Sequence, residues 1–349
     1  MKKELLMGTA LVSTLGAASV AEAVTATMSG NHQTGIEFES VSGGTDQRYQ
    51  RNDNNFTVSL SETTDAGMTI SSSFMLVNEA SNGGGNGDGD AGFTLAFTDG
   101  SKLDLINAGN ASSSHDISVP SSAGAEGITT ATTNNAATGL DIYGNSTVFG
   151  FEYHTASDFL MDGLSVSVSA STDDGANNGS TYGIDDHMAI GATYVTDMGD
   201  SAVTIGMGYS ATEGAKTGTQ MTNDEGGIHF GISAVTGDLT VAVAFADGDS
   251  IEQTNTVQSD SDYMAAGVKY VSGDLTFNVG MSSGTSKDSM TIGTAGTTED
   301  SEDTTSASVS YAVASGVTAI LGFSNTDAED EGAASTDGSA WYIGANMSF

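Results

Sequence analysis

The chain ends in a stretch that alternates large apolar residues with small or polar ones: Trp341-Tyr342-Ile343-Gly344-Ala345-Asn346-Met347-Ser348-Phe349. Successive side chains of a β-strand point to opposite faces, so a strand with this pattern has one apolar face and one polar face. The apolar face suits lipid and the polar face suits water. The alternation therefore predicts a membrane-spanning strand of a closed β-barrel.

The opposite end of the chain has the pattern of an export signal. Lys2 and Lys3 precede a short apolar run that contains several small residues, and Ala21-Glu22-Ala23 follows as an Ala-x-Ala cleavage site. The run is too short for a membrane anchor. We therefore predict a signal peptide over residues 1–23 and a single domain over residues 24–349.

The composition narrows the class of protein further. No other segment approaches the roughly eighteen consecutive apolar residues of a spanning helix, which excludes a helical membrane protein. The chain has no cysteine, so no disulfide stabilises it and backbone pairing must do so. Its 45 carboxylates against 8 basic side chains argue against nucleic acid or anionic lipid as a partner. Solubility in a salty medium explains the same acidity equally well.

The rhythm of the last strand recurs through the whole chain. Short turns and long polar loops alternate between the segments, which is typical of antiparallel hairpins with both termini on the periplasmic side. The loops include 41–52, 284–303 and the third and longest, 108–142. Sixteen strands are predicted, at 25–40, 53–62, 67–77, 91–98, 101–107, 143–156, 163–172, 187–196, 201–210, 225–235, 238–247, 262–271, 274–283, 304–313, 316–325 and 339–349.

A soluble β-sandwich would also alternate, so the second face of the strands decides between the two folds. The outer face of a sandwich carries charged and bulky polar residues. Here the second face is small and uncharged, as at Thr276, Asn278, Gly280 and Ser282. Such a face suits a water-filled lumen, so we predict an all-β, 16-stranded antiparallel transmembrane barrel.

In these features the chain resembles the general diffusion porins of Gram-negative outer membranes, especially the alphaproteobacterial type. The resemblance covers the whole mature chain. It rests on the signal peptide, the sixteen segments, the extended third loop and a terminal pattern similar to the signal read by the barrel-assembly machinery. The residues of that pattern are Tyr342, Gly344, Met347 and Phe349. The resemblance implies an outer-membrane homotrimer, surrounded by lipid, through which small hydrophilic solutes diffuse.

The same resemblance implies that loop 108–142 folds into the barrel and narrows it. The candidates for the narrow zone on this loop are His115, Asp116, Glu126 and Asp141. The strand phase points further charged residues into the lumen, namely Glu37, Glu39, Asp104, Glu152 and Lys269. The arginine ladder that faces the loop in this family is not evident, because Arg48 and Arg51 are expected in a solvated loop. A lumen lined with unpaired carboxylates should favour cations.

Other functions receive less support from the sequence. The five histidines lie on different strands and one loop, and no serine has a nucleophile-elbow pattern, so an enzyme is not expected. No cofactor is expected, although acidic loops are expected to hold Ca²⁺ or Mg²⁺ loosely; the weak candidates are Asp88, Asp90, Asp300 and Glu302. The alternative to a porin is a secreted or surface adhesin or structural protein with acidic loops. A substrate-specific porin would need an aromatic track in the lumen, and none is assignable.

Overall fold

The computed structural model describes residues 24–79, 92–105, 110–121, 150–172, 184–214, 216–217, 220–221, 224–251, 257–291, 299–329 and 335–349. Sixteen strands within these ranges form one closed barrel in which each strand is antiparallel to both neighbours. The predicted fold is therefore confirmed. The predicted signal peptide lies outside the described residues.

The barrel strands are numbered with a small separate hairpin, β10 and β11, in chain order. They are β1 Thr25–Val41, β2 Gln47–Thr63, β3 Thr69–Glu79, β4 Phe93–Ala96, β5 Lys102–Leu105, β6 Gly150–His154, β7 Leu164–Thr172, β8 Ile184–Met198, β9 Ser201–Gly214, β12 Asp224–Thr236, β13 Leu239–Ile251, β14 Val257–Ser272, β15 Leu275–Thr291, β16 Asp300–Ala314, β17 Val317–Glu329 and β18 Thr336–Ser348. The hairpin pairs Lys216–Thr217 with Gln220–Met221 inside a predicted loop.

The first and last strands close the barrel. β1 pairs with β18 in a continuous register that places Ile36 opposite Ile343. Phe349 extends this seam, because its backbone N–H and C=O both bond to the backbone of Gly30 at 3.1 and 3.2 Å. Closure removes the free sheet edges that would otherwise leave backbone groups unsatisfied in lipid.

The two faces of the wall differ as the alternation predicts. On β18, Trp341 is 52% exposed and faces outward, whereas Tyr342 is fully buried on the inner side. On β15, Val279 is 55% exposed and its neighbour Asn278 only 8%. The outer surface is therefore a band of large apolar side chains, and the inner wall consists mainly of small polar residues.

Tight turns join the strands at one end of the barrel. Gly237 and Gly273 adopt φ values of 56° and 61° in two-residue turns, a left-handed conformation that glycine reaches without steric cost. Such turns set the register of the strands on both sides. Among the residues that the structure describes, no helix is long and apolar enough to cross a membrane.

Several strands extend further than the sequence predicted. β2 begins at Gln47, so Arg48 and Arg51 lie in a strand and their placement in a solvated loop 41–52 was wrong. β15 continues to Thr291 and β16 begins at Asp300, well inside the predicted loop 284–303. The backbone ladder needs no apolar alternation once the strands leave the membrane, so the apolar pattern ends before the strand does.

Candidate functional site

Residues 110–121, called the inner segment below, lie against the inner wall of the barrel. They follow β5 in the chain and contact inward-facing positions on β7, β8, β9, β12, β14 and β15. The segment therefore runs around much of the wall. The rest of the predicted third loop lies outside the described residues, so the inward course of 108–142 as a whole stays a prediction.

The wall meets the inner segment along a track of glycines. A Cβ atom added at Gly267 would lie 1.9 Å from the carbonyl oxygen of Pro120, and one added at Gly206 would lie 2.2 Å from that of His115. Only residues without a side chain allow the two backbones to approach this closely. The glycine track comprises Gly191, Gly206, Gly208, Gly231, Gly267 and Gly280.

A compact turn shapes the start of the inner segment. Asn110 accepts a bond from the backbone N–H of Ser112 with its side-chain oxygen, at 2.9 Å, and one from the backbone N–H of Ser114 with its carbonyl, at 3.1 Å. A single 3₁₀ turn, Ser113–His115, follows. The turn directs the side chains of Ser114 and His115 to the wall.

His115 anchors the segment to two strands. Its Nδ1 lies 2.7 Å from the hydroxyl of Thr193 on β8, and its Nε2 lies 2.7 Å from the hydroxyl of Ser167 on β7. The backbone N–H of Ala111 donates to the hydroxyl of Ser169 at 3.0 Å. Burial, reinforced by His154 and His229, lowers the pKa of His115 to about 4, so its imidazole is neutral at pH 7.

A second histidine holds the segment from the other side. His229 on β12 donates from Nε2 to the carbonyl of Ser112 at 2.9 Å. The same nitrogen lies 2.9 Å from Oδ1 of Asp116, which places a carboxylate beside the imidazole. Asp116 belongs to the inner segment, and its carboxylate therefore faces the side chain of His229 on the wall.

Two predicted lumen carboxylates lie beside a third histidine. Glu152 on β6 is only 3% exposed and accepts a 2.6 Å bond from the hydroxyl of Ser114. Asp104 on β5 accepts from Thr94, and its Oδ2 lies 2.9 Å from Nε2 of His154. These carboxylates are inward-facing as predicted but not unpaired.

Glu37 on β1 corrects the prediction of unpaired carboxylates most directly. It is fully buried and forms an ion pair with Arg51, which faces inward from β2. The side chain of Tyr342 lies beside them, and its hydroxyl oxygen accepts a 3.3 Å bond from the side-chain amide of Gln33.

The remaining candidates are distributed as follows. Register places Glu39 and Lys269 on the inner face. Asp300 and Glu302 are buried on the inner face of β16 and do not belong to a loop. The predictions for Glu126, Asp141, Asp88 and Asp90 concern residues outside the described ranges. Sequence reasoning missed His154, His229 and Arg51 as site residues. Of these, only the two histidines had a signal in the sequence, namely their inward phase.

A family model described as Gram-negative porin matches residues 8–331. The chain belongs to the Gram-negative porins. This porin is therefore an outer-membrane protein, and its closed barrel with a water-compatible inner wall is a channel rather than a secreted adhesin. No curated protein matches its sequence.

Solved structures agree on the fold. The in-vitro folded OmpT, an outer-membrane protein of Vibrio cholerae in trimer form, is 13% identical with a TM-score of 0.62, over 93% of this chain and 99% of that one. A porin refined at 1.8 Å is 16% identical with a TM-score of 0.61, over 93% and 100%. An anion-selective porin from Comamonas acidovorans is 10% identical with a TM-score of 0.61, over 93% and 100%.

Proposed function

We propose that this porin passes small hydrophilic solutes and ions by passive diffusion, with a preference for cations. The excess of carboxylates on the inner wall carries the proposal. Among the described side chains, the inward-facing strand carboxylates are Glu37, Glu39, Asp104, Glu152, Asp197, Glu225, Asp300 and Glu302. The inward-facing strand cations are Arg51, Lys102 and Lys269.

The ion pairs reduce this excess without removing it. Arg51 neutralises Glu37, which leaves more carboxylates than cations on the rest of the described wall. A low-dielectric wall focuses the field of such charges into the lumen and raises the local concentration of cations. The shared fold does not decide the matter, because a structural neighbour is named as anion-selective.

Reversal potentials across planar bilayers test the preference. With a KCl gradient and the purified porin, the zero-current potential should have the sign of K⁺ permeation. Raising the salt concentration should weaken the preference as the wall charges are screened. A potential with the sign of Cl⁻ permeation would refute the charge argument while leaving the channel itself established.

We further propose a homotrimer, in line with the trimer form of the neighbour from Vibrio cholerae. Polar side chains on the outer face of β1 and β2 support it: His32 bonds to Asn54, and Thr34 donates to Asn52 at 2.7 Å. The register places this patch level with the exposed Met347 and with Ile343 on β18, at membrane depth. Polar groups at that depth are costly against lipid, so a neighbouring copy covers them.

The trimer is tested by its mass in detergent. Sedimentation of the wild type should give the mass of three chains. Asn54→Asp introduces a charge at the proposed interface and should dissociate the trimer. Thr305→Asp, on the exposed outer face of β16, is the matched control. A monomeric wild type, or equal dissociation by both variants, would contradict the proposed interface.

Three further properties belong to the proposal. Transport is passive and needs no catalytic step, consistent with a non-enzymatic channel family. The barrel-assembly machinery reads the terminal strand, where Tyr342 faces inward while Met347 and Phe349 remain exposed. Loose Ca²⁺ or Mg²⁺ binding at acidic loops stays a prediction. Loss of thermal stability on chelation would support it, and unchanged stability would remove it.

A further inference from the structure

Three metal-ligating side chains meet on the inner face of β5 and β6. Asp104 and Glu152 are direct partners in the antiparallel register, and His154 follows Glu152 two residues along the same strand face. One ligand atom from each lies within 4.8 Å of the others. His154 Nε2 is 2.9 Å from Asp104 Oδ2 and 3.5 Å from Glu152 Oε1.

The two separations that involve His154 are close to those of a tetrahedral metal site. Ligands bound to Zn²⁺ at about 2.0–2.1 Å lie about 3.3 Å from one another. The contact between Glu152 and His154 already matches, and the one between Asp104 and His154 needs to widen by only a few tenths of an ångström. The side chains of His154 and Asp104 are 16% and 24% exposed, so water can reach the group and complete the coordination.

Hydrogen bonds from outside the three ligands fix their orientation. Asp104 accepts from Thr94, Glu152 accepts from Ser114 at 2.6 Å, and His154 Nδ1 lies 2.8 Å from the hydroxyl of Ser167. A metal-bound histidine in proteins almost always uses its second ring nitrogen in such a bond. Each ligand of this group therefore has a supporting partner.

The row of hydrogen bonds through Ser167 permits two arrangements of protons. In one, His154 Nε2–H donates to Asp104 and its Nδ1 accepts from Ser167. In the other, His154 Nδ1–H donates to Ser167, the Ser167 hydroxyl donates to His115 Nε2, and His115 Nδ1–H donates to Thr193. The second arrangement leaves Nε2 of His154 without a proton, so its lone pair lies between the two carboxylates. A neutral imidazole with a free lone pair is the form that binds a metal.

We propose that Asp104, Glu152 and His154 form a binding site for a first-row divalent transition cation such as Zn²⁺ in the wall of the pore. A nitrogen ligand with two carboxylates selects this class over Ca²⁺ and Mg²⁺, which prefer oxygen ligands. Two carboxylates balance the charge of the cation. Lys102 faces the same side opposite His154 and is exposed to solvent, so it competes only weakly with a bound dication.

The site is coupled to the inner segment. Glu152 bonds to Ser114, and Ser167 connects His154 to His115, so two of the five wall bonds described above involve a ligand or its hydrogen-bond partner. Metal binding fixes the direction of these bonds. The cation therefore stabilises one position of the segment. It also lowers the noise that movement of the segment causes in the channel current.

Calorimetric titration of the detergent-solubilised porin with Zn²⁺ tests the site. One ion should bind per chain. The affinity should fall by at least about 100-fold in His154→Gln and by about 10-fold in Ser167→Ala, which leaves the three ligands in place but removes the partner of His154 Nδ1 and its link to His115. His187→Gln replaces another buried, inward-facing histidine on β8 and should bind as the wild type does.

Heat-modifiable migration on gels shows whether each variant has closed its barrel. If His154→Gln does not close, Glu152→Gln replaces it as the ligand variant. The proposal is overturned if the wild type binds Zn²⁺ no more tightly than the closed ligand variant, or if His187→Gln loses the ion instead. Binding is measured without current, so its outcome is independent of the proposed cation preference.

Discussion

The glycine track makes Gly267→Ala a direct test of where the inner segment lies. The new Cβ would be 1.9 Å from the carbonyl oxygen of Pro120, and the next nearest atoms, at 2.9 and 3.0 Å, belong to Pro120 and Val119. Ordinary contact begins at about 3.4 Å, so the two atoms must separate by about 3.4 − 1.9 = 1.5 Å. The strain therefore falls on the segment and not on neighbouring strands.

The magnitudes decide whether the segment shifts or detaches. Overpacking of this kind costs about 1–3 kcal/mol. Five hydrogen bonds tie residues 111–115 to the wall, and each contributes about 0.5–1.5 kcal/mol. Their sum, about 2.5–7.5 kcal/mol, is larger than the strain over most of the two ranges, so the segment should stay attached and move towards the pore axis near Pro120.

Single-channel recording and unfolding measure the two consequences. Gly267→Ala should lower the conductance in planar bilayers and lower the unfolding free energy by about 1–3 kcal/mol. Gly226→Ala is the control, because its Cβ would be 3.7 Å from the nearest atom. A Gly267→Ala channel with unchanged or higher conductance would show that the segment does not lie against this wall.

Three further outcomes are expected. Breaking a fully buried ion pair costs about 3–5 kcal/mol, and Arg51→Met should destabilise the barrel by less than that, as read from urea midpoints. The same variant should increase the cation preference measured by reversal potentials. Adding Glu37→Gln to it should restore part of the stability. The pKa of His115 is about 4 against the wall and about 6.5 when the segment is released, so the anchored state should weaken by up to about 3 kcal/mol as pH falls from 6.5 towards 4. The noise of the channel current should rise over that pH window. His115→Phe should abolish this pH dependence. Tyr342→Ala, which uncovers Gly35, should cost about 3–5 kcal/mol, whereas Tyr342→Phe keeps the ring and should cost below about 1.5 kcal/mol in urea unfolding.

The fold was predictable because the membrane imposes its pattern on each strand separately. Ile343 and Val279 face lipid and their neighbours face the lumen, so a period of two is visible without knowledge of any partner strand. Strand ends were less predictable. β2 and β15 continue beyond the lipid band, where hydrogen bonding to a neighbouring strand sustains them and the apolar period disappears.

The candidate site was only partly predictable, because its contacts join residues far apart in the chain. The alternation of the strands indicated that Glu37 and Asp104 face inward. Nothing local in the sequence indicates that Arg51 would pair with Glu37 or that His154 would lie within hydrogen-bonding distance of Asp104. The convergence of His115, His154 and His229 depends on the closure of the barrel. It could not be read from their separate positions in the sequence.

The interleaving of the two faces also has a consequence for how this porin can change over evolutionary time. Residence in the membrane depends on outward residues such as Val279, and permeation depends on inward neighbours such as Asn278, so one substitution alters one trait and spares the other. The glycine track is the exception. A mutation there alters the inner segment's position along with the wall, so these glycines should vary least among descendants that keep the same pore.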